Sequence, residues 1–115
     1  MGHQTVTWDR PSEDCPVEVA LAAISGRWAT LVLRDLLCGP RSFSQLRAGL
    51  PSLSAKVLTE RLESLVAQGL VECTRSPGFP VRTSYAVTAK GRLLRPLLEQ
   101  LHRTGEALLG ELAQQ

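Results

Sequence analysis

The sequence holds few of the residues from which metal sites, disulfide scaffolds and many catalytic centres are built. Its three cysteines, Cys15, Cys38 and Cys73, have no CxxC spacing, so neither a zinc site nor a secreted disulfide framework is expected. The two histidines, His3 and His102, are isolated in the sequence, and no Cys/His nucleophilic pair can be assembled from them. We therefore expect no metal, no cofactor and no enzymatic activity.

Aromatic residues and long apolar runs are also scarce. Aromatics make up 4% of the chain while leucine is abundant, which favours helices over sheets. No run approaches the roughly 20 apolar residues that cross a bilayer, and MGHQTVTWDRPSEDC shows no basic-then-apolar signal pattern. We expect a cytoplasmic protein that does not bind a membrane. At 115 residues it is most simply one domain, and it can bury a core without a disulfide or a metal.

Charge is distributed unevenly along the chain, although the net charge is only +2. Residues 41–95 hold nine basic and three acidic residues, whereas the segments 1–40 and 96–115 each carry a net charge of −2. A basic central block on a nearly neutral protein is typical of a polyanion-binding face, with nucleic acid as the leading candidate. The alternative is an ordinary solvated surface.

Three helices are predicted in the first half of the chain. Pro16 suits the first position of a helix that ends by Gly26, and the segment RWATLVLRDLLCGP predicts a second helix. The apolar side of this second helix is assigned to Trp28, Leu31, Val32, Leu36 and Leu37. RSFSQLRAGLP then predicts a short third helix capped by Ser42 or Ser44.

The segment SAKVLTERLESLVAQGLVE predicts a fourth helix, capped by Ser54 and stopped by Gly69. Val57, Leu58, Leu62, Leu65 and Val66 form its apolar arc. Alternating segments at 70–75 and 82–88 predict two strands around the loop SPGFPV. Thr88 caps a last helical region, which Pro96 is expected to kink.

This order of elements predicts a mainly α fold with a two-stranded β wing, the winged helix-turn-helix. We expect a flexible N-terminal arm over 1–13 and the winged domain over 14–115. Within that domain the helix-turn-helix covers about 43–68, the wing about 70–88 and the C-terminal dimerisation helices about 89–113. In such a motif the second helix presents its N-terminal residues to the major groove and the first braces it across the backbone.

Several short motifs follow one another in a specific order. Cys-Pro precedes the first helix, Gly-Arg-Trp opens the second, Gly-Pro precedes RSFSQLR, LTERLESL follows, and Tyr85-x-Val87-Thr88-x-x-Gly91 leads into the last helix. In this order and at these distances the chain resembles the HxlR family of bacterial winged helix-turn-helix regulators over about residues 15–105. One departure lies in the wing, where FPVRTSY has Val81 in place of the second proline usual in the family.

The resemblance implies a homodimeric DNA-binding transcription regulator, commonly a repressor, without catalytic activity. The predicted DNA contacts lie at the starts of the two motif helices and on the wing: Arg41, Ser42, Ser44, Ser54, Ala55, Lys56, Thr59, Arg61, Arg75 and Arg82. Each has a structural alternative. Ser42 and Ser44 can act only as helix caps, the stem of Arg61 can pack on the apolar arc, and Arg75 or Arg82 can pair with Glu72 across the wing.

Cys15 is the candidate redox sensor. It precedes Pro16 at a helix start, where the backbone amides favour the thiolate. Some members of the HxlR family sense oxidants or electrophiles through a cysteine at this position, so the resemblance implies such a role. The alternative is an inert, half-buried cysteine.

The last helix carries a candidate dimer interface. Leu94, Leu98, Leu101, Gly105, Leu108 and Leu112 follow a 4-3-4-3-4 spacing. Together with Trp8 and the first helix, they form the predicted contact with a second copy of the chain. Packing within one chain is the alternative for part of this stripe.

These observations predict a homodimer that binds a near-palindromic operator in double-stranded DNA and represses by occluding a promoter. A small-molecule or oxidant effector is a further expected partner. The alternative from another class is a winged-helix protein–protein adaptor without sequence-specific DNA binding. An adaptor would present an apolar or acidic face on the 54–64 helix, whereas this face is polar in basic surroundings.

Overall fold

Six helices and three short strands make up the part of the chain that the computed structural model describes, residues 15–26 and 28–113, with only the backbone described at 112 and 113. The elements are α1 (Pro16–Ala23), α2 (Ala29–Leu37), β1 (Arg41–Ser42), α3 (Phe43–Gly49), α4 (Ala55–Ala67), β2 (Val71–Ser76), β3 (Arg82–Val87), α5 (Ala89–Arg92) and α6 (Arg95–Ala113). The helix-turn-helix is formed by α3 and α4, and β2 and β3 form the wing. The predicted N-terminal arm, with Trp8, lies outside the described residues.

The core is built from leucine and valine around α2. This helix packs against α3, α4, α6 and β3, so it is covered on more than one side. Leu33, which was not assigned to the apolar side of the helix, is fully buried together with Val32. Trp28 was predicted to lie within this helix, but the helix begins one residue later, at Ala29. Trp28 is the N-cap residue, with a left-handed φ of 74°.

Helix α4 begins and ends as its sequence predicts. Ser54 Oγ accepts a hydrogen bond from the Val57 amide at 3.1 Å, and Gly69 ends the helix in the left-handed region at φ 76°. Leu58, Leu62 and Leu65 are buried against the core. Val66, predicted to lie on the same arc, is 38% exposed, so the leucines hold this helix.

The sheet has three strands in the order β1-β3-β2, all antiparallel. The predicted hairpin is present as β2 and β3. The additional strand, β1, is two residues long and pairs Arg41 with Tyr85 and Ser42 with Ser84. This pairing fixes the start of α3 beside the root of the wing.

A tight junction joins the wing to the C-terminal helices. Thr88 Oγ1 donates to the Gly69 carbonyl at 2.6 Å and accepts from the Gly91 amide at 3.1 Å. Gly91 is buried, and a Cβ at this position would meet the carbonyl oxygen of Leu70. Gly91 is therefore required by the close approach of two backbone segments.

The predicted kink at Pro96 is a complete break in the helix. Helix α5 ends at Arg92, and α6 starts at Arg95 with Pro96 as its second residue. A proline is tolerated in the first turn of a helix but not in its interior, so the break falls just before it. Leu94 and Leu98, at this junction, are buried in the core.

Candidate nucleic-acid interface

The first turns of α4 present small and polar side chains to solvent. Ser54, Lys56 and Thr59 are exposed, and Ala55 is half-buried. Thr59 Oγ1 donates to the Ala55 carbonyl at 2.8 Å, while the hydroxyl of Ser54 accepts the capping bond. These residues lie together on the outer side of α4, at the end that enters the major groove in a helix-turn-helix.

The start of α3 is held by a reciprocal capping box. Ser42 Oγ accepts from the Gln45 amide at 3.1 Å, and the Gln45 side chain accepts from the Ser42 amide at 2.8 Å. The hydroxyl of Ser42 is thus used within the chain, whereas Ser44 is exposed. Ser42 is therefore a helix cap, whereas the hydroxyl of Ser44 is exposed and its DNA contact stays a prediction.

Arg41 is partly tied to its own chain. Its Nε lies 3.8 Å from Asp35 Oδ1, and its Nη1 donates to the Pro40 carbonyl at 3.2 Å. Because the side chain is half-buried with these partners, it forms the edge of the candidate interface.

The wing carries two exposed arginines and an apolar tip. Arg75 and Arg82 have no carboxylate oxygen within 4.0 Å among the described residues, so the alternative of a bridge to Glu72 is not realised there. Phe79 at the tip is fully exposed, with relative exposure of 102%. Between the wing and the start of α3 lies an open groove of about 720 Å³, lined by residues 42–45 and 80–83.

Arg61 does not point toward this surface. Its guanidinium lies against Gly26 in the segment between α1 and α2, so that a Cβ built on that glycine would be 2.6 Å from Arg61 Nη1. Its Nε is buried and has no hydrogen-bond partner among residues 15–26 and 28–113. This placement favours the structural alternative for Arg61, in which the stem packs inward beside the apolar arc. The DNA contact of this residue stays a prediction from the sequence.

Tyr85 links the two wing strands at their root. It is paired across the sheet with Cys73, and it is half-buried. Burial raises the pKa of the Tyr85 phenol above its ordinary value, and the neighbouring Cys73 side chain raises this pKa further. The phenol is therefore neutral at physiological pH.

Two surfaces remain open to a second chain. Helix α1 has no buried residue, and Val17, Val19 and Leu21 are between 46% and 59% exposed. On α6, Leu101 and Leu108 are exposed, and a Cβ on Gly105 would meet no atom within 4 Å in the part of the chain that the structure describes.

The predicted seam on the last helices is shorter than its spacing implied. Leu94 and Leu98 are 8% and 7% exposed and belong to the core of this chain, so they are corrected to intramolecular packing. Trp8 and the side chain of Leu112 lie outside the described residues. The part of the seam that the structure leaves available is Leu101, Gly105 and Leu108.

Cys15 is the N-cap residue of α1, with Pro16 at the first helical position. It is half-buried, whereas Cys38 and Cys73 are exposed. Across residues 15–26 and 28–113, no group of three or more histidine, cysteine or acidic side chains could hold a metal ion. The same part of the chain has no helix long and apolar enough to span a membrane.

A helix-turn-helix with an outward-facing second helix, followed by a β wing, defines the class of winged helix-turn-helix proteins. The sequence profile of the family described as HxlR-like helix-turn-helix matches residues 23–112. The chain belongs to this family, and it is a transcriptional regulator of the helix-turn-helix type.

Relatives and solved structures agree with this assignment. The uncharacterized HTH-type transcriptional regulator YvaP of Bacillus subtilis is 42% identical over 93 residues, which cover 80% of this chain and 86% of YvaP. The redox regulator HypR in its reduced form superposes with a TM-score of 0.81 at 30% identity, over 88% of this chain and 100% of HypR. Diamide-treated YodB from B. subtilis has a TM-score of 0.70 at 31% identity, over 81% of this chain and 93% of YodB.

Proposed function

We propose that this regulator is a homodimer that binds a near-palindromic operator and represses transcription by occluding a promoter. The observation that carries the proposal is the exposed first part of α4, where Ser54, Lys56 and Thr59 face solvent while the leucines of the same helix are buried. Small and polar side chains at this end suit contacts with base edges and phosphates.

The wing and the start of α3 extend the proposed DNA-binding surface beyond α4. Arg75 and Arg82 would neutralise phosphates or enter the minor groove, and Ser44 would contact the backbone. Arg41 has a peripheral part because it is already bonded to Asp35 and Pro40. Glu60 and Glu63 are exposed farther along α4, where they would accept from cytosine N4 or mark the end of the contact.

The homodimer is proposed to form through α1 and the exposed part of α6. An eight-residue helix with no buried side chain does not repay the entropy of its own ordering, and a second copy would cover its valines and leucine. Two recognition helices would then enter successive major grooves with half-site centres roughly 34–36 Å apart. Occlusion of the promoter is the simplest consequence of such binding.

Cys15 is proposed to make the regulator respond to oxidants or electrophiles. It is the N-cap residue of α1, the helix through which we propose that the two chains meet. One structural neighbour bears the name redox regulator and another was treated with diamide. Oxidation or alkylation of Cys15 would alter the packing of α1 against the partner and lower the affinity for DNA.

The test is a fluorescence-anisotropy titration of the protein against the intergenic DNA beside its own gene, with a scrambled duplex as the control. We expect selective binding of two chains per site. We also expect affinity to fall with salt by about 0.9 log unit per log unit of salt for each phosphate neutralised. Weak, equal binding to both duplexes with a flat salt response would contradict the proposal and favour the protein–protein adaptor.

Diamide tests the redox part separately. The reagent is expected to release the wild-type protein from the operator and to leave the Cys15→Ser variant bound. The Cys73→Ser variant is the matched control and should behave as the wild type. Release of Cys15→Ser by diamide would remove Cys15 from the sensing role without affecting the proposal of DNA binding.

A further inference from the structure

A second concave site lies between α2 and α6, outside the proposed DNA-binding surface. It encloses about 330 Å³, and none of the residues that line it belongs to α3, α4 or the wing. Its walls include Arg34, Leu37, Cys38, Arg95, Leu98 and Arg103. The volume is within the range of roughly 300–1,000 Å³ that small-molecule sites occupy.

The cavity carries an excess of positive charge. Arg34, Arg95 and Arg103 line it, and Glu99 is the one carboxylate among its lining residues. None of the three guanidinium groups has a carboxylate oxygen within 4.0 Å among the described residues. Three cations around a shared cavity repel one another unless an anion lies between them.

Two of the basic side chains that line the cavity, Arg95 and His102, have partners within the chain. Arg95 Nη2 donates a hydrogen bond to the Leu37 carbonyl at 2.9 Å. This bond satisfies one of the carbonyl groups left without a partner at the end of α2, and it holds the arginine at the cavity wall. The fourth basic lining residue, His102, lies 3.5 Å from Glu106 on its own helix. Arg34 and Arg103 are exposed and remain available to an incoming anion.

Two leucines, Leu37 and Leu98, supply the apolar part of the wall. Leu98 is buried and Leu37 is half-buried, and both face the cavity between the arginines. A fully hydrated anion such as inorganic phosphate would leave these leucines against water. An anion with a compact apolar body would cover them and bring its charge to the guanidinium groups.

We propose that this cavity binds a small organic monoanion, a carboxylate attached to an aromatic or short aliphatic group. The carboxylate pairs with Arg34 and Arg103, since the planar guanidinium matches a carboxylate through two parallel hydrogen bonds. The apolar body rests on Leu37 and Leu98. Binding itself does not depend on DNA recognition. Control of DNA affinity by the ligand does rest on the proposed function, and it would act through α2, which packs against α3, α4 and α6.

Calorimetric titration of the protein without DNA tests the site, with benzoate as the probe and benzyl alcohol and inorganic phosphate as comparisons. We expect one benzoate per chain and binding at least tenfold weaker for both comparison compounds. Arg34→Gln and Arg103→Gln should each weaken benzoate by about tenfold, the loss expected for a hydrogen-bonded charge. Arg75→Gln, which removes an arginine from the wing, is the matched control and should bind as the wild type.

Cys38 provides a second readout at the cavity itself. Its thiol is exposed and lines the wall, and its Sγ donates to the Arg34 carbonyl at 3.5 Å. Bound benzoate should slow the alkylation of Cys38 by N-ethylmaleimide severalfold. Peptide mass spectrometry measures the rate of this alkylation. Cys73, exposed on the wing, should react at an unchanged rate.

Three results would overturn the proposal. The first is the absence of saturable benzoate binding, and the second is equal binding of benzyl alcohol or phosphate. The third is dissociation of the dimer by Arg34→Gln or Arg103→Gln in sedimentation, with benzoate affinity unchanged, which would assign the arginines to an acidic surface of a second chain. The first two outcomes do not bear on whether the protein binds its operator. The third affects operator binding only in the dissociated variants, so the wild-type protein can bind its operator whether or not the benzoate site exists.

Discussion

The guanidinium of Arg61 lies against Gly26, which places a basic residue of α4 in contact with the segment between α1 and α2. Lys56 is on the same helix five positions earlier and is exposed. The two cations of α4 therefore have different surroundings, although the sequence alone assigns both to DNA. The first turn of α4, with Lys56, is therefore available to a ligand, whereas Arg61 packs against its own chain.

Replacement of Arg61 by methionine should not lower stability. The Arg61→Met variant removes a buried Nε that has no hydrogen-bond partner in the described part of the chain, and it keeps a long apolar side chain in its place. We expect a free energy of unfolding equal to or above that of the wild type in chemical denaturation. Arg61→Ala, which also removes the packed stem, should lose about 1 kcal/mol. A loss of stability in the methionine variant as large as in the alanine variant would show that the guanidinium makes a stabilising contact.

Gly91→Ala should strongly destabilise the fold. Its methyl group would meet the Leu70 carbonyl oxygen, and separating two backbone segments at this junction should cost about 1–3 kcal/mol or more. Thermal or urea unfolding of the variant measures the loss. A variant as stable as the wild type would mean that the wing root can move away from α5 at little cost.

Two glycines of α6 provide a matched pair for the dimer interface. A Cβ at Gly105 or Gly110 would meet no atom of the described residues within 4 Å, so alanine at either position should favour the helix by about 0.5–1 kcal/mol. Gly105 lies between Leu101 and Leu108 on the proposed seam, where an added methyl would hold a partner helix away. We expect Gly105→Ala, and not Gly110→Ala, to weaken the dimer in sedimentation equilibrium. Identical dimerisation of the two variants would contradict the proposed seam.

Tyr85 should titrate above its ordinary value. It is the single tyrosine of the chain, so phenolate absorbance reports on it alone. Burial raises its pKa, which means that the folded state holds the proton more tightly than the unfolded state. The stability linked to this proton is complete below a pH of about 10 and is lost as the pH rises through the folded pKa. Titration at or below the value in the denatured protein would contradict the buried position at the wing root.

Most of the fold could be predicted from local signals. Ser54, Thr88 and Gly69 are reliable signals because a cap or a left-handed stop acts within a few residues. The wing strands are marked by the proline- and glycine-containing loop between them. The features that could not be predicted from the sequence depend on tertiary contacts. Strand β1 is two residues long and exists only because Tyr85 and Ser84 are beside it, and Leu33 is buried because α2 is covered on more than one side.

The part of the candidate DNA-binding surface that could be predicted is the set of residues on the outer face of a helix. Ser54, Lys56 and Thr59 are exposed as expected on the outer side of α4. Arg61 lies beside the apolar arc, and the direction of so long a side chain depends on the neighbouring Gly26. The spacing of Leu94 and Leu98 is the same whether the leucines face a partner or their own core, so the sequence pattern left this choice open. The cavity between α2 and α6 is lined by residues about sixty positions apart in the sequence, so no local sequence pattern predicts it.

The most direct test of DNA recognition by α4 compares the operator affinities of Lys56→Met and Arg61→Met by fluorescence anisotropy at two salt concentrations. Both variants lose one positive charge from the same helix, so a general electrostatic effect would change them equally. We expect Lys56→Met to bind about tenfold more weakly, with a salt slope smaller by about 0.9 if its contact is a phosphate, and Arg61→Met to bind as the wild type. Equal affinities for the two variants, or a larger loss in Arg61→Met, would contradict the proposed recognition surface.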